Sequence, residues 1–210
     1  MTTFRTGATA PAWAELTGFE VLDLARDQAI TRTPDTPAER LIVSAGTVQF
    51  RQDGRSLLLK PAQFLDVDHA AGPWTVVGQT DPAGVVRLSG HWGQELGGCG
   101  LFGVTRTSTP ETRGDPVAYP KHTGIDSHYH DCDEYWIVLQ GEGEAVVGDQ
   151  HDRMRPGDCL CIGMGHHHDF PIIDSEVKAV FFETTLQGRK RTGHLWNHTH
   201  GPAVPQPERV

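Results

Sequence analysis

The chain has 210 residues and a formal net charge of −9. This length suits one large domain or two small ones, and the acidic balance argues against nucleic acid as a partner, because phosphate binding relies on a basic patch. No apolar run approaches the roughly 20 residues of a membrane span, so we expect no membrane partner. The N-terminus lacks an apolar leader, and the four cysteines are interpreted as free thiols of a cytoplasmic protein.

The composition predicts an all-β architecture, because 24 glycines and 14 prolines favour many turns over long helices. Residues 1–38 are predicted to form an irregular lead-in. Strands are then predicted near 39–52, 55–60, 62–68 and 74–78. The segment Thr80-Asp81-Pro82-Ala83-Gly84 is the best linker candidate, which divides the chain into domains 1–84 and 85–210.

The second domain begins with strand-like segments at 85–91 and 99–107. Residues 108–115 form a polar loop that could cover an active site. Further strands are predicted near 117–122, 127–130, 134–140, 143–148, 150–155, 158–162, 168–172 and 177–185.

The two halves share a pattern at a spacing of 95 residues. Glu39, Gly46 and Pro61 fall on Glu134, Gly141 and Pro156, with strands and turns in the same order. One interpretation is a duplicated module. The other is that any two β-hairpins with Gly and Pro turns would align as well.

A candidate metal site lies in the run from His128 to Glu134. Alternate side chains of a strand share one face, so His128 and His130 are predicted to project together. Glu134 follows after a polar bend and opens the aromatic and β-branched run 135–139, which is typical of a buried strand. Imidazole and carboxylate groups together suit a divalent transition metal.

A fourth ligand candidate follows a Pro-Gly-Asp turn at 156–158 and an apolar strand. His168 is the last of three consecutive histidines, and it lies ten residues after Asp158. Three imidazoles and one carboxylate could then hold one octahedral ion and leave two or more positions open.

These two segments resemble the two motifs of the cupin superfamily. The first motif reads Gly, five residues, His-x-His, three or four residues, Glu, six residues, Gly, which His128, His130, Glu134 and Gly141 match. The leading glycine is absent, because His122 stands at its position. The second motif runs from Pro-Gly-Asp to a histidine ten residues after the Asp, which selects His168 over His166 and His167.

The resemblance implies a cupin double-stranded β-helix, or jelly-roll barrel, with two tandem modules. The N-terminal module would be metal-free, because His128, His130 and His168 fall on Thr33, Asp35 and Pro73 in the first copy. It also implies a homodimer, for which burial of exposed sheet edges provides a physical reason.

The resemblance leaves the reaction open, because cupins host many unrelated activities. The first hypothesis is a non-haem Fe(II) dioxygenase acting on a small polar metabolite. The second is an isomerase, epimerase or lyase of sugars or sugar acids, with Mn²⁺, Zn²⁺ or Ni²⁺ as a Lewis acid. The third is a non-catalytic small-molecule-binding protein.

Several residues near the motifs are secondary candidates. His122, His166 and His167 are candidates for proton transfer. Histidines of a solvated loop would show the same sequence pattern. Trp136 and Asp126 are candidates for the substrate pocket, although a buried Trp is also ordinary core. Cys132 could lie near the metal or be a loop thiol.

The C-terminal tail contains His194, His198 and His200 with Trp196 at the same parity. This pattern could be a second metal site, a segment that closes a pocket, or an edge strand with polar rings.

Overall fold

The computed structural model describes residues 3–94, 96–108, 114–185 and 204–210. Strands dominate these residues, and a 3-10 turn at His69–Ala71 is their only helical element, so the all-β prediction is confirmed. None of the described elements is a helix of the length and apolarity that crossing a membrane requires. The strands are β1 (Thr3–Arg5), β2 (Leu16–Leu24), β3 (Ala29–Arg32), β4 (Ala38–Ala45), β5 (Val48–Gln52), β6 (Arg55–Leu59), β7 (Phe64–Asp66), β8 (Trp74–Gly78), β9 (Ala83–Gly90), β10 (Leu96–Val104), β11 (Cys132–Val147), β12 (Gln150–Met154), β13 (Asp158–Ile162) and β14 (His168–Thr185).

The N-terminal unit consists of residues 15–92 and 99–101. It contains two four-stranded sheets, with the strand orders β2-β9-β4-β7 and β3-β8-β5-β6. Inward-facing apolar side chains from both sheets form one buried cluster, and burial of this surface is the main stabilising contribution. Its largest members include Phe50 and Trp74.

The C-terminal unit consists of the described residues of 1–14, 93–98 and 102–210. Its sheet has the order β1-β13-β11-β14-β10, with β12 paired to β11. The long strands β11 and β14 pair antiparallel from Cys132↔Thr185 to Val147↔His168. Their inward residues, among them Trp136, Val138 and Phe170, form a second buried cluster.

A bend at Gly141 divides β11 without ending it. The pairing with β14 shifts register between Val138 and Gln140 and again between Gln140 and Glu142, and Gly141 adopts φ 76°. Bulges of this kind turn a strand while keeping it in the sheet. The sequence predicts two strands here, at 134–140 and 143–148, because a glycine in a strand has the same signature as a turn.

Several predicted segments differ from the structure, among them 127–130, which carries isolated bridges and is not a strand. Residues 1–38 contain β1, β2 and β3, and the period-2 pattern of β2 is masked by a register shift between Leu16 and Gly18. The segment 117–122 is not a strand, and its Tyr119 and Lys121 side chains bind the buried carboxylate of Asp169 at 3.1 and 2.7 Å.

The compact units also have different bounds from the predicted division at residue 84. β9 begins at Ala83, inside the predicted linker, and pairs with β2 and β4 along its length. Residues 85–92 therefore lie in the N-terminal unit, and residues 3–14 lie in the C-terminal unit through β1, which pairs with β13.

The bend at Gly141 leads to a stability prediction. A Cβ at Gly141 would collide with the carbonyl oxygen of Glu176, whereas a Cβ at Gly157, which also has positive φ (88°), meets nothing within 4 Å. We expect Gly157→Ala to lower the free energy of unfolding by about 1–2 kcal/mol through backbone strain alone. Gly141→Ala should cost a further ~1–3 kcal/mol from the clash. Urea denaturation of both variants measures the difference, and equal losses would contradict this role of Gly141.

Candidate metal centre

The four motif residues come together at one end of the β11–β14 pair. Glu134 lies on β11 and His168 begins β14. His128 lies beside His168 in an isolated antiparallel bridge, with backbone bonds of 3.2 Å (His128 N to His168 O) and 2.8 Å (His168 N to His128 O). His130, two residues on, projects to the same side.

The ligand atoms converge on one point. Nε2 of His128 lies 3.0 Å from Nε2 of His130 and 3.0 Å from Nε2 of His168. Oε2 of Glu134 lies 3.0 Å from Nε2 of His168 and 3.2 Å from Nε2 of His130. Ligands about 2.0–2.1 Å from a metal and at right angles to each other are about 3 Å apart, so these spacings fit a single first-row ion.

The tautomers of two histidines strengthen this interpretation. Nδ1 of His128 lies 2.9 Å from the carbonyl oxygen of Asp126, and Nδ1 of His168 lies 3.0 Å from that of His166. A carbonyl accepts only from N–H, so both rings carry a proton on Nδ1, and in their neutral form they present a lone pair at Nε2. Two lone pairs that face each other at 3.0 Å repel unless a cation lies between them.

The carboxylate of Glu134 is held with one oxygen toward this point. Trp136 donates its indole N–H to Oε1 at 2.8 Å, while Oε2 is buried and accepts no well-directed hydrogen bond from the described residues. Burial by itself raises the pKa of this carboxyl, but interactions with His130 and His168 outweigh it and hold the pKa well below its ordinary range. Glu134 is therefore an anion and a candidate metal ligand.

A cavity of about 390 Å³ opens onto the cluster. Three of the four ligand candidates line it, together with both residues proposed for the pocket, Asp126 and Trp136. Its wall is otherwise largely apolar and aromatic. The remaining lining residues are Phe102, Gly124, Ile125, Phe181 and Glu183.

The C-terminal residues 204–210 support the loop before His168. Asp133, whose side chain is fully buried, accepts from the Met164 amide at 2.9 Å and pairs with the guanidinium of Arg209. The backbone also packs closely, since a Cβ at Gly163 would lie 2.4 Å from Cβ of Arg209. Sequence reasoning misses this pairing, because a single Arg near a chain end has no distinguishing pattern.

The three candidates for proton transfer lie away from the cavity. The ring of His122 accepts the amide N–H of Ile173 at 3.0 Å. The rings of His166 and His167 lie at the carbonyl of Gln206 (2.8 Å) and the carboxylate of Asp115 (2.6 Å). Both line a separate cavity of about 400 Å³. His166 contributes to the cluster through its carbonyl rather than its imidazole.

Two further residues lie close to the cluster. His130, Cys132 and Glu183 form a second group whose candidate ligand atoms lie within 4.8 Å of one another. Glu183 is absent from the sequence-based candidates. The sequence feature that could have identified Glu183 is its position two residues after Phe181 on a predicted buried strand, where a carboxylate is unusual. His194, Trp196, His198 and His200 lie outside the described residues.

Part of the chain matches a known protein family, and a related protein matches the whole chain. A family model described as a cupin domain matches residues 117–185. An uncharacterized protein of Sinorhizobium fredii (strain NBRC 101917 / NGR234), y4oW, is 50% identical over 210 residues, which are 100% of this chain and 97% of that protein.

Solved structures show the same fold at low identity. An IolB-like protein of Salmonella typhimurium LT2 aligns with a TM-score of 0.58 and 16% identity, covering 95% of this chain and 98% of its own. Vicilin of hazelnut, Corylus avellana, aligns with a TM-score of 0.56 and 10% identity, covering 89% and 80%. At these identities the similarity extends to the fold alone.

Proposed function

We propose that this chain, whose residues 117–185 match a cupin domain, is a metal-dependent enzyme acting on a small polar organic metabolite. The observation that carries the proposal is the convergence of three Nε2 atoms and one carboxylate oxygen within 3.0–3.2 Å of their neighbours. His128, His130, Glu134 and His168 would hold one divalent ion. The adjoining cavity of about 390 Å³ has the volume of a small-molecule site.

We favour Fe²⁺ and a dioxygenase-type reaction. When bound, Fe²⁺ would supply one-electron chemistry with dioxygen, whereas Mn²⁺, Zn²⁺ or Ni²⁺ would supply Lewis-acid polarisation of a carbonyl. The residues of the cavity wall support the Fe²⁺-dependent reaction. Phe102, Trp136 and Phe181 line the cavity with aromatic surface, which limits water at the site and suits reactive oxygen chemistry.

A second reaction class is supported by the polar part of the same wall. Asp126 and Glu183 line the cavity and are not among the four proposed ligands. Either carboxylate could accept a proton from a substrate carbon or hydroxyl, which is the step that a sugar isomerase, epimerase or lyase requires.

The proposal includes two tandem cupin modules. Adding 95 to the bounds of β6 (Arg55–Leu59) gives those of β12 (Gln150–Met154). Positive φ angles recur at the same spacing, at Gly46 and Gly141 (61° and 76°) and at Ala62 and Gly157 (67° and 88°). Turns that demand this conformation are more specific than strand patterns, so they support duplication over chance similarity of hairpins.

The N-terminal module is proposed to be metal-free because an arginine neutralises its glutamate. Glu39, which lies 95 residues before Glu134, has a fully buried side chain that contacts Arg87 at 2.6 and 3.2 Å. Trp74 donates its indole N–H to Glu39 at 3.1 Å, as Trp136 does to Glu134. Burial lowers the pKa of the Arg87 guanidinium, but Glu39 and Asp35 raise it above its ordinary value, so a permanent cation lies there.

Removal of two imidazoles tests the metal centre. We expect wild-type protein to bind one equivalent of divalent metal and His128→Ala/His168→Ala to lose it, because only one imidazole and one carboxylate remain. Elemental analysis after metal loading gives the stoichiometry, and circular dichroism checks that the fold is retained. A matched control, His151→Ala/His167→Ala, removes two histidines outside the cluster and should keep one equivalent. Full metal in the first double variant would exclude this site.

Removal of Glu39 tests the metal-free module. Glu39→Ala should leave the metal content unchanged but lower the free energy of unfolding by about 3 kcal/mol, because it leaves Arg87 buried beside fewer charges. Asp174→Ala breaks an ion pair with Arg153 in which both side chains are about half exposed, and it should unfold close to wild type. Loss of metal from Glu39→Ala would indicate that the N-terminal unit also binds an ion.

The reaction class is tested by oxygen uptake. Protein loaded with Fe²⁺ is assayed with an oxygen electrode against a panel of small metabolites, in parallel with Mn²⁺ and Zn²⁺ forms under nitrogen. Substrate-dependent uptake with Fe²⁺ alone supports the dioxygenase. Turnover of sugars or sugar acids without oxygen, with several metals, would replace it by the isomerase class.

A further inference from the structure

We propose that Glu183 is a positioning residue that orients His130 within the metal centre. The inference rests on the proposed metal function and extends it to a residue outside the two cupin motifs.

The strand ladder brings Glu183 to the cluster. Glu183 on β14 is the direct cross-strand partner of Glu134 on β11, so both side chains point to the same face. Both are largely buried, with 8% and 5% of the residue surface exposed. Like charges directly opposite each other destabilise a sheet, so this pair favours a cation or a hydrogen-bond donor between the two carboxylates.

The ring of His130 lies between these two carboxylates. Its Nε2 is 3.2 Å from Oε2 of Glu134, and its Nδ1 is 3.8 Å from Oε1 of Glu183. The second distance is longer than a hydrogen bond, so the proposed contact needs a slight shift of the His130 ring toward the carboxylate of Glu183. A proton on Nδ1 then faces Glu183, and the lone pair on Nε2 faces the other ligands.

Glu183 is held by a close approach of β10. Its Oε2 accepts the amide N–H of Gly98. A Cβ at Gly97 would lie 2.5 Å from Oε2 and 2.6 Å from Cβ of Glu183. Glycine at position 97 therefore leaves space for the Glu183 side chain. The close contact with β10 keeps this side chain in one orientation.

The Nδ1 partners of the other two histidines indicate the role of Glu183. His128 and His168 each direct Nδ1 to a main-chain carbonyl, of Asp126 and of His166. Glu183 takes the corresponding place for His130, but with a carboxylate. An anionic acceptor raises the basicity of the imidazole more than a neutral carbonyl does, and loss of such a partner typically weakens metal binding by about 10–100-fold.

The test uses Zn²⁺, which permits NMR. We expect Glu183→Ala to bind Zn²⁺ about 10–100-fold more weakly than wild type, measured by competition with a chelator. Glu183→Gln keeps an acceptor oxygen and should recover part of that loss. In protein labelled with ¹⁵N-histidine, the Nδ1–H signal of His130 should be present in the wild type and shifted or lost through exchange in Glu183→Ala.

Asp126→Asn is the matched control. It removes another carboxylate from the cavity wall but keeps the carbonyl that receives His128, so Zn²⁺ affinity and the His130 signal should stay near wild type. Unchanged affinity and an unchanged His130 signal in Glu183→Ala would overturn the role of Glu183, as would equal weakening by Asp126→Asn. Failure of the wild type to bind Zn²⁺ would instead overturn the metal centre itself, and this inference with it.

Discussion

The convergence of three imidazole nitrogens and one carboxylate oxygen on one point is the constraint on which the candidate metal centre depends. Nε2 of His128 lies 3.0 Å from Nε2 of both His130 and His168, and the anionic Glu134 faces the same point. Such an arrangement persists only if the surrounding structure holds each ring in place. The carbonyls of Asp126 and His166, the indole of Trp136 and the long β11–β14 ladder provide that support.

In the proposed duplication, the two units surround a buried glutamate in different ways. Each buries a glutamate that accepts an indole N–H, from Trp74 in one unit and from Trp136 in the other. In the strand ladders Arg87 lies opposite Leu41, and Phe181 lies opposite Trp136. The first unit therefore carries its own cation where the second presents an aromatic wall.

Residues close together in sequence were the most predictable part of the site. His128 and His130 are two residues apart, so strand geometry grouped them, and the resemblance to the cupin motifs added Glu134 and selected His168 by its count from the Pro-Gly-Asp turn. The surroundings were less predictable. His166 and His167 lie next to a ligand in sequence, yet their rings contact Gln206 and Asp115, because side-chain direction in a loop depends on packing partners.

The sequence by itself determined the all-β class and the four residues that cluster, because strand parity and turn chemistry are local properties and the motif resemblance fixes the count to His168. Only the tertiary structure decided what surrounds them. The pairing of Glu134 with Glu183, the burial of Asp133 against Arg209 and the capture of Glu39 by Arg87 join residues that are distant in sequence. Such contacts depend on register between strands and on chain packing, which no local pattern specifies.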